Sequence, residues 1–196
     1  YEKVQAIFEG DPQLRKQYAD VVGFLHGLRD LARELTARRA ARGSLDFDLP
    51  ESRVLLDKEG MPMDIQKVER LESHRLIESF MVLANEVVAR YLKKNRIPGL
   101  YRVHEEPQEM KIDQMLEVIT PLGYRLKRTK DGKIKPTALQ ELLKKAEGKP
   151  EEHLIHTLVL RSMMRARYDA SPLGHFGLAT FDYLHFTSPI RRYPDF

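Results

Sequence analysis

The strongest structural signal in the sequence is an apolar stripe that begins near Glu72 and runs to about Asn95. Apolar side chains recur there at steps of three and four residues, which is the period of a helix that turns one face toward a core. A second stretch with this period follows Asp11 and Pro12, which predict a capped helix start, and it continues to about Ala40. The sequence therefore predicts a domain in which long amphipathic helices dominate.

Shorter elements are predicted around these two helices. The predicted helices are Tyr1–Glu9, Pro107–Ile119, Thr137–Ala146 and Glu151–Tyr168, and the predicted strands are Ser44–Asp48, Arg53–Leu56, Ile65–Val68 and Leu100–Val103, with extended passes at Phe176–Ala179 and Phe181–Phe186. The turn-like residues Asp57–Gly60 predict a hairpin between the second and third strands. The predicted fold class is α/β, more narrowly a helix-rich α+β arrangement of long amphipathic helices around short, mainly antiparallel strands.

The composition narrows the setting in which such a chain works. A net charge of +4 permits an anionic partner without requiring one. The absence of cysteine excludes disulfides and thiolate metal sites, and it favours a reducing, cytoplasmic location. No apolar run reaches membrane-spanning length and no signal peptide is evident, so no membrane partner is expected.

The two ends of the sequence suggest an internal piece of a longer protein. The 196 residues are enough for one domain or for part of a larger one. The first residue is not Met, and the chain stops just after a helix-start signal. We therefore expect truncation at both ends.

That helix-start signal is Thr187-Ser188-Pro189, where hydroxyl caps precede a proline. Arg191 and Arg192 would then fall in the first turn, where the macrodipole favours anions. Two arginines beside the free amides of a helix N-terminus suggest a phosphate site. An exposed basic turn with no ligand is the alternative interpretation.

Several acidic and amide side chains are further candidates. Asp46 and Asp48 would share one face of a strand and could hold a hard cation, although no further carboxylate is aimed at them. Glu78 lies beside the apolar stripe and must find a partner there, for which Arg75 is the local candidate. Asn85, further along the same predicted helix, is expected to be structural.

The histidines support a metal site only weakly. His153 and His156 stand three residues apart on a predicted helix, but nothing supplies the remaining ligands, so surface and core roles are favoured. His175 and His185 are expected to hydrogen-bond backbone groups near the C-terminal segment. Arg102 and His104 would share a face of an extended strand, and their role is left open.

The C-terminal segment Gly174–Asp195 begins GHFGLA and ends YLHFTSPIRRYPD. It resembles the hallmark segment of the RNB catalytic domain, found in ribonuclease II and ribonuclease R exoribonucleases. Other segments follow that family's order and approximate spacing: YEKVQAIFEGD, ARRAARGSLDFDLPE, HRLIESFMVLANEVVARYL, GLYRVHEEP and LLKKAEGKPEEHLIHTLVLRSMMRARY. Together they span essentially the whole chain, and an ordered series of this kind is very specific.

The resemblance implies a 3′→5′ exoribonuclease that hydrolyses single-stranded RNA processively to nucleoside 5′-monophosphates. Residues 1–196 would be the central and C-terminal part of one RNB catalytic domain, without the OB-fold RNA-binding domains that flank it in the family. The family's Mg²⁺ ions imply closely spaced Asp residues upstream, and no matching Asp-rich loop stands in this sequence. No metal ligand is therefore assigned to this chain, and on its own it is expected to be inactive.

The resemblance also implies roles for five residues. Arg191 matches the family's catalytic arginine, which would grip the scissile phosphate and stabilise added negative charge. Arg192 matches a neighbouring basic position that would hold a backbone phosphate. Phe47, a core residue by pattern alone, matches an aromatic residue that stacks on a base near the RNA 3′ end. Glu78 matches a residue that contacts ribose, and Tyr1 falls about where the family has a tyrosine near the terminal nucleotides.

Two other functions stay open. One is a non-catalytic RNA-binding relative, which could use Arg191 and Glu78 for binding alone. The other is a helical protein-interaction domain with an incidental basic patch. The loop Arg125–Lys135 reads as a solvated surface, with RNA contact as its alternative. The partners expected for the nuclease are single-stranded RNA and the RNA-decay machinery, with the protein itself a monomer.

Overall fold

The computed structural model describes residues 1–45, 51–68, 70–188, 190–192 and 195. Its helices are α1 (Glu2–Glu9), α2 (Pro12–Gln17), α3 (Ala19–Arg42), α4 (Glu72–Lys94), α5 (Glu109–Ile119), α6 (Pro136–Ala146) and α7 (Glu152–Ser162). Its strands are β1 (Glu51–Leu56), β2 (Pro62–Val68), β3 (Tyr101–Val103) and β4 (Arg167–Asp169). Two small antiparallel sheets result, β1 with β2 and β3 with β4. The predicted helix-rich α+β class is confirmed.

The chain forms two units, which we call the N-terminal unit (residues 1–34 and 46–80) and the C-terminal unit (residues 35–45 and 81–196). In the N-terminal unit, Phe8 of α1, Ala32 of α3 and Leu76 of α4 form a small buried core. The predicted hairpin β1–β2 also belongs to this unit. None of the described helices is long and apolar enough to cross a membrane.

The helix predicted from Asp11 to about Ala40 is in fact two helices. Asp11 caps α2 as predicted, since its Oδ1 accepts hydrogen bonds from Gln13 N and Leu14 N at 2.9 Å each. The helix is interrupted at Tyr18, with φ −115° and ψ 32°, so α3 starts afresh one residue later. Apolar spacing alone cannot reveal such a break, because the spacing continues across it.

The buried face of α4 differs from the predicted apolar stripe. Five members of that stripe are exposed, namely Ile77, Met81, Leu83, Val87 and Tyr91. The buried face instead includes Ser79, Asn85 and Glu86, each no more than 4% exposed. A polar side chain can be buried at little cost once its hydrogen bonds are made. The prediction was wrong here because it counted apolar residues alone.

In the C-terminal unit, α7 packs against α5 and α6. These three helices contribute most of the fully buried large side chains, namely Ile112, Ile119, Leu139, Leu142, Ile155 and Val159. The predicted bounds of α5 and α6 agree with the structure to within two residues at each end. This part of the fold follows directly from amphipathic periodicity.

The helix predicted to reach Tyr168 ends at Ser162, and Arg167–Asp169 form strand β4 instead. In the β3–β4 ladder Arg102 lies opposite Tyr168, and its guanidinium carbon is 4.8 Å from the centre of the Tyr168 ring. The backbone of β3 needs a hydrogen-bonding partner. Its partner strand, β4, lies more than 60 positions away in the sequence, so no local pattern could predict the pairing.

Of the two extended passes predicted in the C-terminal segment, Phe176–Ala179 is wrong, whereas nothing in the structure contradicts Phe181–Phe186. Residues Phe176–Leu178 form a 3₁₀ turn, and Leu184 makes only an isolated bridge to Tyr101. Gly177 permits the turn, because a Cβ atom at this position would lie 3.0 Å from His104 Nδ1. The strand predicted at Ser44–Asp48 lies mostly outside the described residues, and Ser44 and Leu45 are not in a strand.

Candidate functional site

The candidate site centres on a loop in the C-terminal unit that we call the arginine loop (residues 183–188 and 190–192). Its first half is anchored on Asn85 of α4, whose Oδ1 accepts hydrogen bonds from Phe186 N at 2.9 Å, Thr187 N at 3.0 Å and Thr187 Oγ1 at 3.1 Å. The amide nitrogen of Asn85 donates to Tyr183 Oη at 3.1 Å. Backbone N–H groups can only donate, so these contacts also fix which end of the amide is the oxygen.

The second half of the loop does not begin the predicted helix. Residues 190–192 are not helical, and the backbone N–H groups of Arg191 and Arg192 donate to Asp195 Oδ2 at 3.2 and 2.9 Å. The amides that were predicted to wait for a phosphate are thus occupied by a carboxylate three to four residues further on. A nearby carboxylate supplies the negative charge and the acceptor that such amides favour.

The two arginines of the loop have different surroundings. Arg191 is exposed, and within the described chain its guanidinium makes one long hydrogen bond, from Nε to Ser188 Oγ at 3.4 Å. Arg192 is partly buried, with its Nε 3.2 Å from Asp195 Oδ2 and its Nη1 donating to Nδ1 of His185. Arg191 therefore has its terminal nitrogens available for a ligand, whereas Arg192 is engaged inside the protein.

A cluster of histidine and tyrosine rings includes two residues of the loop, Tyr183 and His185. His104 contacts His175, which contacts Tyr183, which in turn contacts His185, all edge-on with ring centres 5.0 to 5.9 Å apart. His175 Nδ1 accepts from Leu178 N at 3.2 Å, so its predicted backbone hydrogen bond is confirmed. His185 differs from its prediction, because its Nδ1 bonds the side chains of Tyr168 and Arg192.

The histidines of this cluster are held neutral at neutral pH. Burial lowers the pKa of His175 to about 3, with His104 as a further cause. Burial, followed by the charge of Arg192, lowers the pKa of His185 to about 4. The pKa of His104 is also lowered, first by burial. A neutral imidazole can accept at Nδ1, which is how all three are used here.

These shifted pKa values predict that acid destabilises the fold. Below about pH 6.5 the unfolded chain binds a proton at His175, whereas the folded chain does not until about pH 3. The stabilisation is therefore complete above pH 6.5 and is lost as the pH falls, by at most about 1.4 kcal/mol per pH unit for each such histidine. We expect the melting temperature of the wild type to fall more steeply from pH 7.5 to 5 than that of His175→Asn.

Asparagine is a suitable replacement because its Oδ1 can accept from Leu178 N in place of Nδ1 and does not titrate. Both proteins would be melted in the same buffers, with the melting followed by circular dichroism. An equal fall in melting temperature in the two proteins across this pH range would contradict the prediction.

The other predicted site residues lie in different parts of the chain. Glu78 of the N-terminal unit forms a bidentate pair with Arg70, whose Nη2 lies 2.7 and 2.8 Å from the two carboxylate oxygens. Tyr1, in the same unit, is 60% exposed, and its ring centre lies 4.4 Å from that of His74. Phe47 lies outside the described residues.

A metal site does not form from the residues that the structure describes. Among them, no three His, Asp or Glu side chains come together in a way that could hold a metal ion. The candidate pair Asp46 and Asp48 falls outside these residues. The described side chains therefore do not fit the Mg²⁺ centre that the resemblance implies, and we derive no chemical step through a metal.

Asn85 was predicted to be structural, and no role in the site was predicted for Asp195. A polar residue within the helical segment 72–95 was a usable signal for Asn85, because a buried amide must find partners. Asp195 follows the arginines closely enough to cap their amides, and this alternative to a helix start could also have been considered.

Comparison with known proteins places this geometry in a family. The model of the RNB domain matches residues 1–196. Ribonuclease R of Aquifex aeolicus is 46% identical over 195 residues, and ribonuclease R of Escherichia coli is 40% identical over 195. In both cases the match covers 100% of this chain, which spans only about a quarter of the relative, 27% and 24% respectively.

The fold agrees with a solved relative as well. RNase R of Mycoplasma genitalium, in complex with ribose methylated single-stranded RNA, superposes with a TM-score of 0.86 at 29% identity. The superposition covers 96% of this chain and 30% of that one. Sequence and fold thus agree with each other, and the chain belongs to the RNB domain family.

Proposed function

We propose that the protein containing this chain is a 3′→5′ exoribonuclease that degrades single-stranded RNA processively to nucleoside 5′-monophosphates. In this proposal residues 1–196 belong to one RNB catalytic domain and contribute its substrate-facing side. The relatives named ribonuclease R support an activity on RNA, and the solved neighbour is in complex with ribose methylated single-stranded RNA. This chain spans only about a quarter of the two relatives named ribonuclease R. The rest of the catalytic apparatus would therefore lie in other parts of the protein.

The observation that carries the proposal is the exposed guanidinium of Arg191 on an anchored loop. A planar guanidinium donates two parallel hydrogen bonds to a phosphate, and its charge persists at any working pH. Placed on the scissile phosphate, it would stabilise the negative charge that grows as water adds. Anchoring on both sides of Arg191, by Asn85 and by Asp195, would keep the donor in place before the reaction starts.

The remaining site residues would hold the RNA strand. Glu78 would accept a hydrogen bond from a ribose 2′-hydroxyl, and a carboxylate paired with Arg70 keeps lone pairs for it. Phe47 would stack on a base near the 3′ end and Tyr1 would lie near the terminal nucleotides. Arg192 would reach a backbone phosphate only by giving up part of its contact with Asp195.

Mg²⁺ would complete the reaction centre, where its chemistry is to activate a water molecule and to neutralise charge on the phosphate. Its carboxylate ligands would come from parts of the protein beyond the residues described. On its own, residues 1–196 would then be inactive. We further propose that the whole protein acts as a cytoplasmic monomer that can work alongside RNA-decay proteins.

The experiment uses the full-length protein with a labelled single-stranded RNA and with DNA of the same sequence, each with Mg²⁺ or with a chelator. We expect mononucleotides from the RNA in the presence of metal, little product from the DNA, and intact RNA in the chelated sample. Denaturing gels resolve the products by size.

Two other outcomes would overturn the nuclease proposal. RNA that is bound but stays intact in every sample would identify a non-catalytic RNA-binding relative. RNA binding that is absent, or that does not weaken as salt rises, would favour a protein-interaction domain, because phosphate contacts release counterions and are salt-sensitive.

A further inference from the structure

We infer that Asn85 is a positioning residue for catalysis, acting through Arg191. The inference rests on the proposed function, in which Arg191 contacts the scissile phosphate. In this inference the buried amide of Asn85 holds the arginine loop in the position from which Arg191 can reach the scissile phosphate. Asn85 itself is 4% exposed and would not touch the RNA.

Three hydrogen bonds converge on a single atom of Asn85. Asn85 Oδ1 accepts from two consecutive backbone N–H groups and one hydroxyl, all within 2.9 to 3.1 Å. These donors stand 101 and 102 positions away in the sequence, so the amide ties a long helix to the arginine loop. The other end of the same amide donates to Tyr183 Oη, which fixes its rotation.

The part of the loop that Asn85 holds is connected to Arg191 by a short stretch of chain. Thr187 directly precedes Ser188, whose Oγ receives the hydrogen bond from Arg191 Nε at 3.4 Å. Arg191 is exposed, and among the described residues its side chain makes one hydrogen bond, the one to Ser188 Oγ. Its orientation therefore depends on the backbone that carries it, and that backbone is tied by Asn85 before it and by Asp195 after it.

Position 85 requires a side chain of a particular chemistry and size. The site needs an acceptor that can serve several donors and is short enough to stay buried. Aspartate offers that acceptor, whereas alanine leaves three donors without a protein partner. Water can enter and satisfy those donors, but the loop then moves, and a misplacement of about 1 Å can slow catalysis roughly 100-fold.

The test compares Asn85→Ala, Asn85→Asp and Asn95→Ala in the full-length protein, with turnover and RNA affinity measured separately. Asn95 is the matched control, because it follows α4 directly and its amide bonds Tyr91 O at the surface. We expect Asn85→Ala to lower kcat roughly 30- to 100-fold with KM changed less than about threefold. Asn85→Asp should recover most of the loss, and Asn95→Ala should have no effect.

The deciding measurement is a double-mutant cycle with Arg191→Ala. If Asn85 acts through Arg191, then Asn85→Ala should cost less than about threefold once Arg191 is absent, because residues that act as a unit are not additive. A full additional loss in that background would overturn the inference. An Arg191→Ala protein that keeps near-normal turnover would instead overturn the proposed role of Arg191, so the two failures are distinguishable.

Thr187→Val keeps the test decisive if Asn85→Ala does not fold. This change removes only the hydroxyl donor to Asn85 Oδ1 and leaves both backbone donors in place. We expect a loss in kcat of about three- to tenfold that also disappears when Arg191 is alanine. Normal turnover in Thr187→Val, or a loss that persists without Arg191, would overturn the inference.

Discussion

Replacing Arg191 with alanine in the full-length protein is expected to slow RNA hydrolysis about 100- to 1,000-fold, while RNA affinity changes only a few-fold. The guanidinium would act on charge that appears only in the transition state, so its loss affects turnover far more than binding. Single-turnover rates on a short RNA, together with a titration of RNA binding in the chelated sample, measure the two effects separately.

Two further variants define the comparison for Arg191. Arg191→Lys keeps the charge but loses the planar, two-point donor, and we expect it to recover only a small part of the rate. Arg125→Ala, which removes an exposed arginine of the basic loop, should leave turnover unchanged. Equal losses of turnover and affinity in Arg191→Ala would contradict a role in the transition state.

Replacing Arg42 with methionine is expected to destabilise the C-terminal unit by about 3 kcal/mol. Arg42 forms a bidentate pair with Glu86, with nitrogen–oxygen distances of 2.7 and 3.2 Å, and the Glu86 side chain is only 5% exposed. Without Arg42 a buried carboxylate remains, and Arg90 at 3.9 Å is too distant to replace both hydrogen bonds. Calorimetry should record a fall in melting temperature of roughly 6 to 12 °C.

The matched control is Arg33→Met, which removes an arginine of the same helix from a similar pair. Arg33 lies 2.6 Å from Glu72, but its side chain is 58% exposed and that of Glu72 is 32% exposed. Water compensates for both charges when such a pair is broken, so we expect a much smaller fall in melting temperature than for Arg42→Met. Equal losses in the two variants would show that burial of Glu86 is not what makes its pair important.

Local patterns predicted much of the secondary structure. Helices α1, α5 and α6 and the β1–β2 hairpin lie close to the predicted ranges, because amphipathic period and turn residues act over a few positions. The sequence also singled out the segment that carries Arg191, because two adjacent arginines follow Ser188 and Pro189 there. The roles of Arg191, Arg192, Glu78, Tyr1 and Phe47 stay predictions, and the Arg191 variants above test the first of them.

Several of the predictions that failed depend on contacts between distant residues. Strand β4 was read as helix because its partner β3 is more than 60 positions away. The five exposed residues of the α4 stripe were read as buried because apolar spacing does not record which polar residues find partners. Hydrogen bonds such as those between Asn85 and the arginine loop cross about 100 positions, and no window of sequence contains both ends.

By itself, the sequence determined where most of the described helices lie, since backbone geometry responds to neighbours three and four residues away. It also determined the chemistry available near the C-terminus, where two adjacent arginines follow Ser188. Only the tertiary structure decided that Arg191 faces solvent while Arg192 is held by Asp195 and His185. The two arginines are chemically identical, and what separates them is burial and partners. Asp195 and His185 lie only three and seven residues from Arg192, but the order of residues does not show which of two neighbouring side chains the folded loop turns toward them.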